Sequence, residues 1–392
     1  MTIDHITLYL VNMRLTAPFE TSFGVEQDRQ CVIVRVDADG LTGWGECPAS
    51  REFGYSYETT TTVWHALKDF LVPHSLGKPV DIAATFELGE HLRGHNMARH
   101  GLESALWDIV AQQQGVSLSK ALGGTRNRVT VGVSIGIQPS ADALIAKIEG
   151  YLTQGYGRIK IKIKPGYDLE IVQRVRAAFP RILLQVDANS AYHLPDAPLF
   201  EAMDEYKLLL IEQPFGWDDI YEHSKLQPLL DTPICLDESI HSLGHAVMAI
   251  DLGACKTINI KPARVSGFTE SRRIHDLCQS HSLPVWCGGM LETGIGRAGN
   301  VALASLPNFT LPGDISASNR YYTEDIAEPL FALNPDSTLT VPTAPGLGVT
   351  VNEVALNKFT EHKEIFGHGK TRILNLIPRK DRHVRRQAFH SD

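Results

Sequence analysis

Five short runs decide the fold: Arg158-Ile-Lys-Ile-Lys162, Leu183-Leu-Gln-Val-Asp187, Leu209-Leu-Ile-Glu212, Ile234-Cys-Leu-Asp237 and Ile258-Asn-Ile-Lys261. Each has strand length and ends in a charged residue, and the charged ends recur every 24 or 25 residues. A strand-length run, a turn and a helical stretch at that period describe parallel β/α units closing into a ring. In such a ring the strands point one way, so the residues ending them gather at one mouth. The expected fold is α/β: a (β/α)8-type, modified TIM barrel with an N-terminal α+β capping domain.

The outer parts read differently. Thr7 to Leu15 and Cys31 to Asp37 read as strands, and Asp39-Gly40 marks a tight turn into a strand around Trp44. Glu58 to Phe70, Ala83 to Leu92 and Met97 to Gln114 read as helices; Leu102, Ala105, Leu106, Ile109 and Val110 share one face of the last. Residues 1–125 are therefore expected to form the cap and 126–320 the barrel. Val129 to Ile135 is expected as its first strand, Pro284 to Gly288 as its seventh and Phe309 to Ile315 as its eighth. Helices are expected at Leu169 to Phe179, Leu243 to Leu252 and Thr269 to Ser280. Pro195 and Pro198 shorten another to Leu199–Tyr206. Residues 321–368 are expected to return to the cap. Residues 369–392 carry seven Lys or Arg and are expected to form a mobile basic tail.

At 392 residues the chain can bury a large core, and its 43% hydrophobic and 21% charged content is that of a globular protein. A net charge of -8 argues against nucleic acid as a partner. No apolar run reaches membrane-spanning length, and the N-terminus does not read as a signal peptide. The six cysteines form no CxxC pair and are expected to be reduced. A cytoplasmic, homo-oligomeric protein acting on a small-molecule carboxylate is expected.

Asp187, Glu212 and Asp237 offer only oxygen ligands, which suits Mg2+, with Mn2+ as a substitute, rather than zinc. Asn189, Gln213 and Glu238 stand beside them and are candidates to orient them. Lys160 and Lys162 alternate with Ile159 and Ile161, so both are expected to point inward, where the carboxylates are partners. Lys261, on the far side of the carboxylate strands, would face Lys162 across the substrate. A cation and a neighbouring ammonium would lower the lysine pKa. Arg264 would do the same to Lys261, or bind a substrate carboxylate. The chemistry that fits is abstraction of a proton beside a carboxylate, with the developing dianion stabilised by the metal.

These residues resemble the enolase superfamily, and within it the muconate lactonizing enzyme subgroup. The likeness rests on K-x-K at Lys160 and Lys162, V-D-A-N at Val186 to Asn189, I-E-Q-P at Ile211 to Pro214, L-D-E-S at Leu236 to Ser239 and N-I-K-P at Asn259 to Pro262. Trp286 to Arg297 and Pro312 to Tyr322 are similar to o-succinylbenzoate synthases of the type related to N-succinylamino acid racemases. The resemblance implies that Lys162 removes the α-proton of a succinyl-hydroxycyclohexadiene carboxylate and water is lost, in menaquinone biosynthesis. It implies that Lys261 stabilises the intermediate, and serves as the second acid/base in racemisation. It places the substrate-binding set at Phe19, Phe23, Phe53 and Tyr55 in the capping loops, with Ser134, Arg264, Gly289, Met290, Asp314 and Ile315 from the barrel.

Alternatives remain. A mandelate-racemase-like enzyme would need a histidine where Gly288-Gly289-Met290 stands, and a dipeptide epimerase a second acid in Asp314-Ile315-Ser316. N-succinylamino acid racemisation and muconate cycloisomerisation use the same lysines. A non-catalytic barrel would lack a ligand or a lysine, and none is missing.

Overall fold

In the computed structural model, residues 1–367 and 370–374 are described. Strands β1 (Ile3–Glu20), β2 (Val25–Ala38) and β3 (Leu41–Cys47) form an antiparallel meander. Side chains alternate across it, so its two faces feed two cores. Tyr9, Val11, Met13 and Ile33 pack toward the barrel. Ile6, Leu8, Val32 and Val34 pack under the helices with Leu102, Ala105 and Ile109. Helix Asn96–Gln113 lies hard against β3. A Cβ on Gly43 or Gly45 would stand 2.0 Å from the helix carbonyls of Ala105 or Gly101, so only glycine permits that approach.

The first helix begins at Thr60 rather than Glu58, because Thr59 and Thr62 form a capping box. Glu58 is used elsewhere: its carboxylate accepts from the backbone of Met97 at 2.9 Å and starts the long helix. Past Ala66 the helix widens into a π turn over Leu67–Leu71.

After β4 (Arg128–Thr130) come seven parallel strands: β5 (Val133–Ile135), β6 (Arg158–Lys162), β7 (Leu183–Asp187), β8 (Ile211–Glu212), β9 (Ile234–Leu236), β10 (Thr257–Ile260) and β11 (Val285–Cys287). They neighbour one another in chain order. Two expectations need correction. The first barrel strand is broken at Gly132, whose missing Cβ leaves room for the Arg158 guanidinium. The eighth segment is not a regular strand, since Pro312 has no N–H to give to a ladder. It still closes the ring: Leu311 and Asp314 donate to the carbonyls of Val285 and Cys287, and Gly313 exchanges backbone bonds with Thr130 and Gly132. Helices Leu169–Ala178, Leu243–Asp251 and Phe268–Ser280 lie near the expected positions. The short one, Ala197–Asp204, starts earlier than expected because Pro198 fits its first turn.

β12 (Ala327–Glu328) pairs with β14 (Thr350–Val351), and β13 (Thr338–Thr340) pairs with β4 of the barrel, while Gly346 accepts from Leu118 and Leu347 donates to Asp108 of the cap. β15 (Thr360–Gly367) joins the cap sheet, against β1. β16 (Lys370–Leu374) pairs with β15, so the sheet extends five residues into the segment expected to be a mobile tail; residues 375–392 of that segment lie outside the described residues.

Cap and barrel are joined through buried acids. Glu46 of β3 accepts from Thr293 and Gly296 at the start of helix Gly294–Ala304, and Glu103 accepts from Phe268 and Thr269 at the start of helix Phe268–Ser280. Both carboxylates sit at positive helix ends. All six cysteines are buried and free, and no described helix is long and apolar enough to cross a membrane.

Candidate active site

The pleat of β6 places Arg158, Lys160 and Lys162 on one face, all buried, while Ile159 and Ile161 join the apolar core. Lys162 pairs in register with Asp187, and Asp187 with Glu212. Nζ of Lys162 lies 2.6 Å from Oδ2 of Asp187 and donates to Oδ1 of Asn189 at 2.7 Å. Nζ of Lys160 is ringed by three acids: Asp314 at 2.5 Å, Glu212 at 2.7 Å and Asp187 at 2.9 Å. Trp286 lies beneath it, its ring centre 5.1 Å away. Arg158 meets Asp314 at 2.7 Å and donates to the carbonyls of Pro312 and Gly313.

Across the mouth, Lys261 stands 2.8 Å from Oδ2 of Asp237. Oδ1 of Asp237 takes the Tyr55 hydroxyl at 2.9 Å and the Arg264 guanidinium. Asn259, two residues before Lys261 on β10, donates to Oε1 of Glu212 at 2.9 Å. Asn189 donates to Oε1 of Glu238 at 2.9 Å, and Gln213 accepts from the backbone N–H of Asp237 at 2.9 Å. Asn189 and Gln213 hold left-handed backbone conformations, φ 42° and 37°, which turn the chain sharply at the strand ends.

The charges are strongly coupled. Burial would raise Asp187 and Asp237, but Lys160 and Lys162 outweigh it at the first, and Lys261 and Arg264 at the second; both stay well below the usual carboxylate range. Lys160 and Arg158 do the same for Asp314. Glu212 lies well above its usual range, through burial and the charge of Asp187. Burial and the charges of Asp237 and Asp187 push Glu238 up to about 7. Burial opposes the charge on Lys160 and Lys261, yet Asp187 and Asp314 at the one, and Asp237 at the other, hold both above the ordinary lysine value. Arg264, expected to lower Lys261 or to bind a substrate carboxylate, spends its donors on Asp237, Ile240 and Asn259.

Among the described residues, no three acidic, histidine or cysteine side chains already surround a common point in ligand geometry. The oxygens of Asp187, Glu212 and Asp237 are engaged by lysine and arginine, and by Asn189, Asn259 and Tyr55. The donor set still fits a hard dication: three buried carboxylates end neighbouring strands, two of them raise the pKa of Glu212, and Oε2 of the adjacent Glu238 has no hydrogen-bond partner.

Above the lysines a cavity of about 540 Å³ opens between cap and barrel. Phe19, Phe23, Phe53 and Tyr55 line it from the cap, and Ser134, Lys160, Lys162, Asn189, Lys261, Gly289, Met290 and Asp314 from the barrel. Arg264 and Ile315, expected among the substrate-binding residues, are buried and do not line it. Arg29, Arg51 and Tyr321 do line it and were not expected. Asn259 and Arg158 were also missed, though their spacing from Lys261 and Lys160 marks a shared strand face.

Residues 5–123 match the mandelate racemase / muconate lactonizing enzyme N-terminal domain, and residues 143–355 the enolase C-terminal domain-like family. The chain is 50% identical to the o-succinylbenzoate synthase of Geobacillus kaustophilus over 368 residues, 93% of this chain and 97% of that one. It is 47% identical to the N-succinylamino acid racemase of an Amycolatopsis species, over 94% of this chain and all of that one. A solved enolase-superfamily protein from Listeria innocua superposes with a TM-score of 0.90 at 40% identity, covering 94% of this chain and 99% of that one. The chain therefore belongs to the mandelate racemase and muconate lactonizing enzyme group of the enolase superfamily.

Proposed function

We propose that this enzyme is an o-succinylbenzoate synthase, dehydrating 2-succinyl-6-hydroxy-2,4-cyclohexadiene-1-carboxylate, and that it also racemises N-succinylamino acids. What supports the reading most is half-identity to a synthase along nearly the whole length of both chains, with every charged residue of the barrel mouth in place. In this reading Asp187, Glu212 and Asp237 hold Mg2+, with Mn2+ as a substitute. Once bound, that ion neutralises charge building on the substrate carboxylate.

The chain's own residues carry the rest. Lys162 takes the α-proton on its Nζ; the C–H electron pair moves into the carboxylate. Lys261, held as an ammonium by Asp237, faces that growing charge from the other side. The C–O bond of the ring hydroxyl then breaks, the leaving oxygen takes the proton back from Lys162 as water, and the ring becomes aromatic. With an N-succinylamino acid no group leaves. Lys261 then gives its proton to the opposite face, and the centre inverts. Asn189 and Asp187 orient Lys162, while Phe19, Phe23 and Phe53 offer apolar surface to the succinyl arm from the cap side of the cavity.

The test is side-by-side kinetics on the cyclohexadiene carboxylate and on an N-succinylamino acid, with EDTA and then excess Mg2+. Turnover of both that disappears with EDTA and returns with Mg2+ is expected. Failure to turn over the cyclohexadiene at all would overturn the synthase assignment.

A further inference from the structure

The two lysines are supported differently. Lys162 is held by Asp187 and Asn189, both from the barrel. Lys261 has a barrel partner in Asp237, but its other face is covered from the cap: Nζ stands 4.3 Å from the ring centre of Tyr55. The hydroxyl of the same tyrosine donates to Asp237, so one cap residue touches both the amine and the carboxylate that orients it. The tyrosine sits on a loop clamped at both ends. Ser50 accepts from Thr60 at 2.9 Å, Arg29 donates to Ser50 at 2.8 Å, and Glu58 accepts from Met97. Between the clamps Phe53 is 69% exposed, so the tip is open to solvent while Tyr55 is turned inward.

Resting on the functional reading above, we infer that Tyr55 is a positioning residue for Lys261 and sets how well this enzyme performs the reaction that needs both lysines relative to the one that needs Lys162 as its base. An aromatic face fixes an ammonium in direction as well as energy. Without it the Nζ of Lys261 keeps Asp237 but is free to swing about that one contact. Dehydration uses Lys261 only as a nearby charge, which tolerates displacement. Proton delivery to carbon does not, because it requires the amine within hydrogen-bond reach of the reacting atom. Racemisation therefore depends on Tyr55 more than dehydration does, and the cap loop acts on one face of the substrate.

The test uses the intact Mg2+-loaded enzyme and follows α-proton exchange in D2O by NMR, separately from N-succinyl-L-alanine and N-succinyl-D-alanine. Tyr55→Leu is expected to slow exchange by about tenfold from the enantiomer whose proton faces Lys261, and by no more than about threefold from the other. Tyr55→Phe keeps the ring and drops the hydroxyl; it should lose about threefold from both enantiomers alike. Equal losses from both enantiomers in Tyr55→Leu would mean a merely structural role and overturn the inference while leaving the functional reading intact. A loss in Tyr55→Phe as one-sided as in Tyr55→Leu would show that the ring is not what positions Lys261. Absence of exchange from either enantiomer by the wild-type enzyme would overturn the racemase reading and this inference with it.

Discussion

Nζ of Lys160 lies 2.5 Å from Oδ2 of Asp314, tying strand β6 to the irregular segment that closes the barrel. The same ammonium also meets Asp187 and Glu212. Where the eighth strand lacks a regular ladder, a buried ion pair spans the gap. Lys160→Met would leave three buried acids short of their shared counter-charge, a loss on the order of 3–5 kcal/mol. Denaturant unfolding measures it. A variant unfolding at the wild-type midpoint would show that the pair does not support closure.

Asn259 orients Glu212 and touches nothing that reacts. Asn259→Ala is expected to weaken Mg2+ binding by about 10- to 100-fold. Turnover at saturating Mg2+ should stay within about tenfold of wild type. Calorimetric titration with MgCl2 is the measurement, and unchanged affinity would remove Glu212 from the ligand set.

The seam between cap and barrel has its own pH dependence. Glu46 is pushed up to about 7 by burial and by Glu292. A carboxyl raised on folding contributes its stability fully below the unfolded value near 4.5, and that contribution is lost as pH rises through about 7. The buried imidazole of His100 and the half-buried one of His241, lowered to about 3 and about 4, act with the opposite sign. The readout is therefore a difference between two proteins. Glu46→Gln should gain on wild type by on the order of 3 kcal/mol between pH 5 and 8, as the cost of ionising Glu46 appears only in the wild type. Thermal unfolding at both pH values checks it; a constant difference would mean that Glu46 is not held protonated by its surroundings.

How far the sequence could be read follows from how local each cause is. The ladder from Lys162 to Lys261 was legible because parallel strands convert a regular spacing into convergence. Lys160 and Lys162 were legible as a pair because the pleat alternates. The partnership of Lys160 with Asp314 was not, since it spans 154 positions and depends on where an irregular segment closes the ring. Arg264 reads in sequence as a cation free to meet substrate; only the fold shows its donors already taken by Asp237 and two carbonyls. The cap contacts of Lys261 were hidden for the same reason, Tyr55 being more than 200 residues away in the chain.

The most direct measurement is stereospecific deuterium incorporation by the two single-lysine variants. Lys162→Ala and Lys261→Ala, each loaded with Mg2+ in D2O, should both lose racemisation by at least about 10³-fold. Each should still exchange the α-proton of one N-succinylamino acid enantiomer, and the two variants should choose opposite enantiomers. Exchange of the same enantiomer by both variants, or racemisation surviving in either, would contradict the placement of two opposed amines across one bound carboxylate.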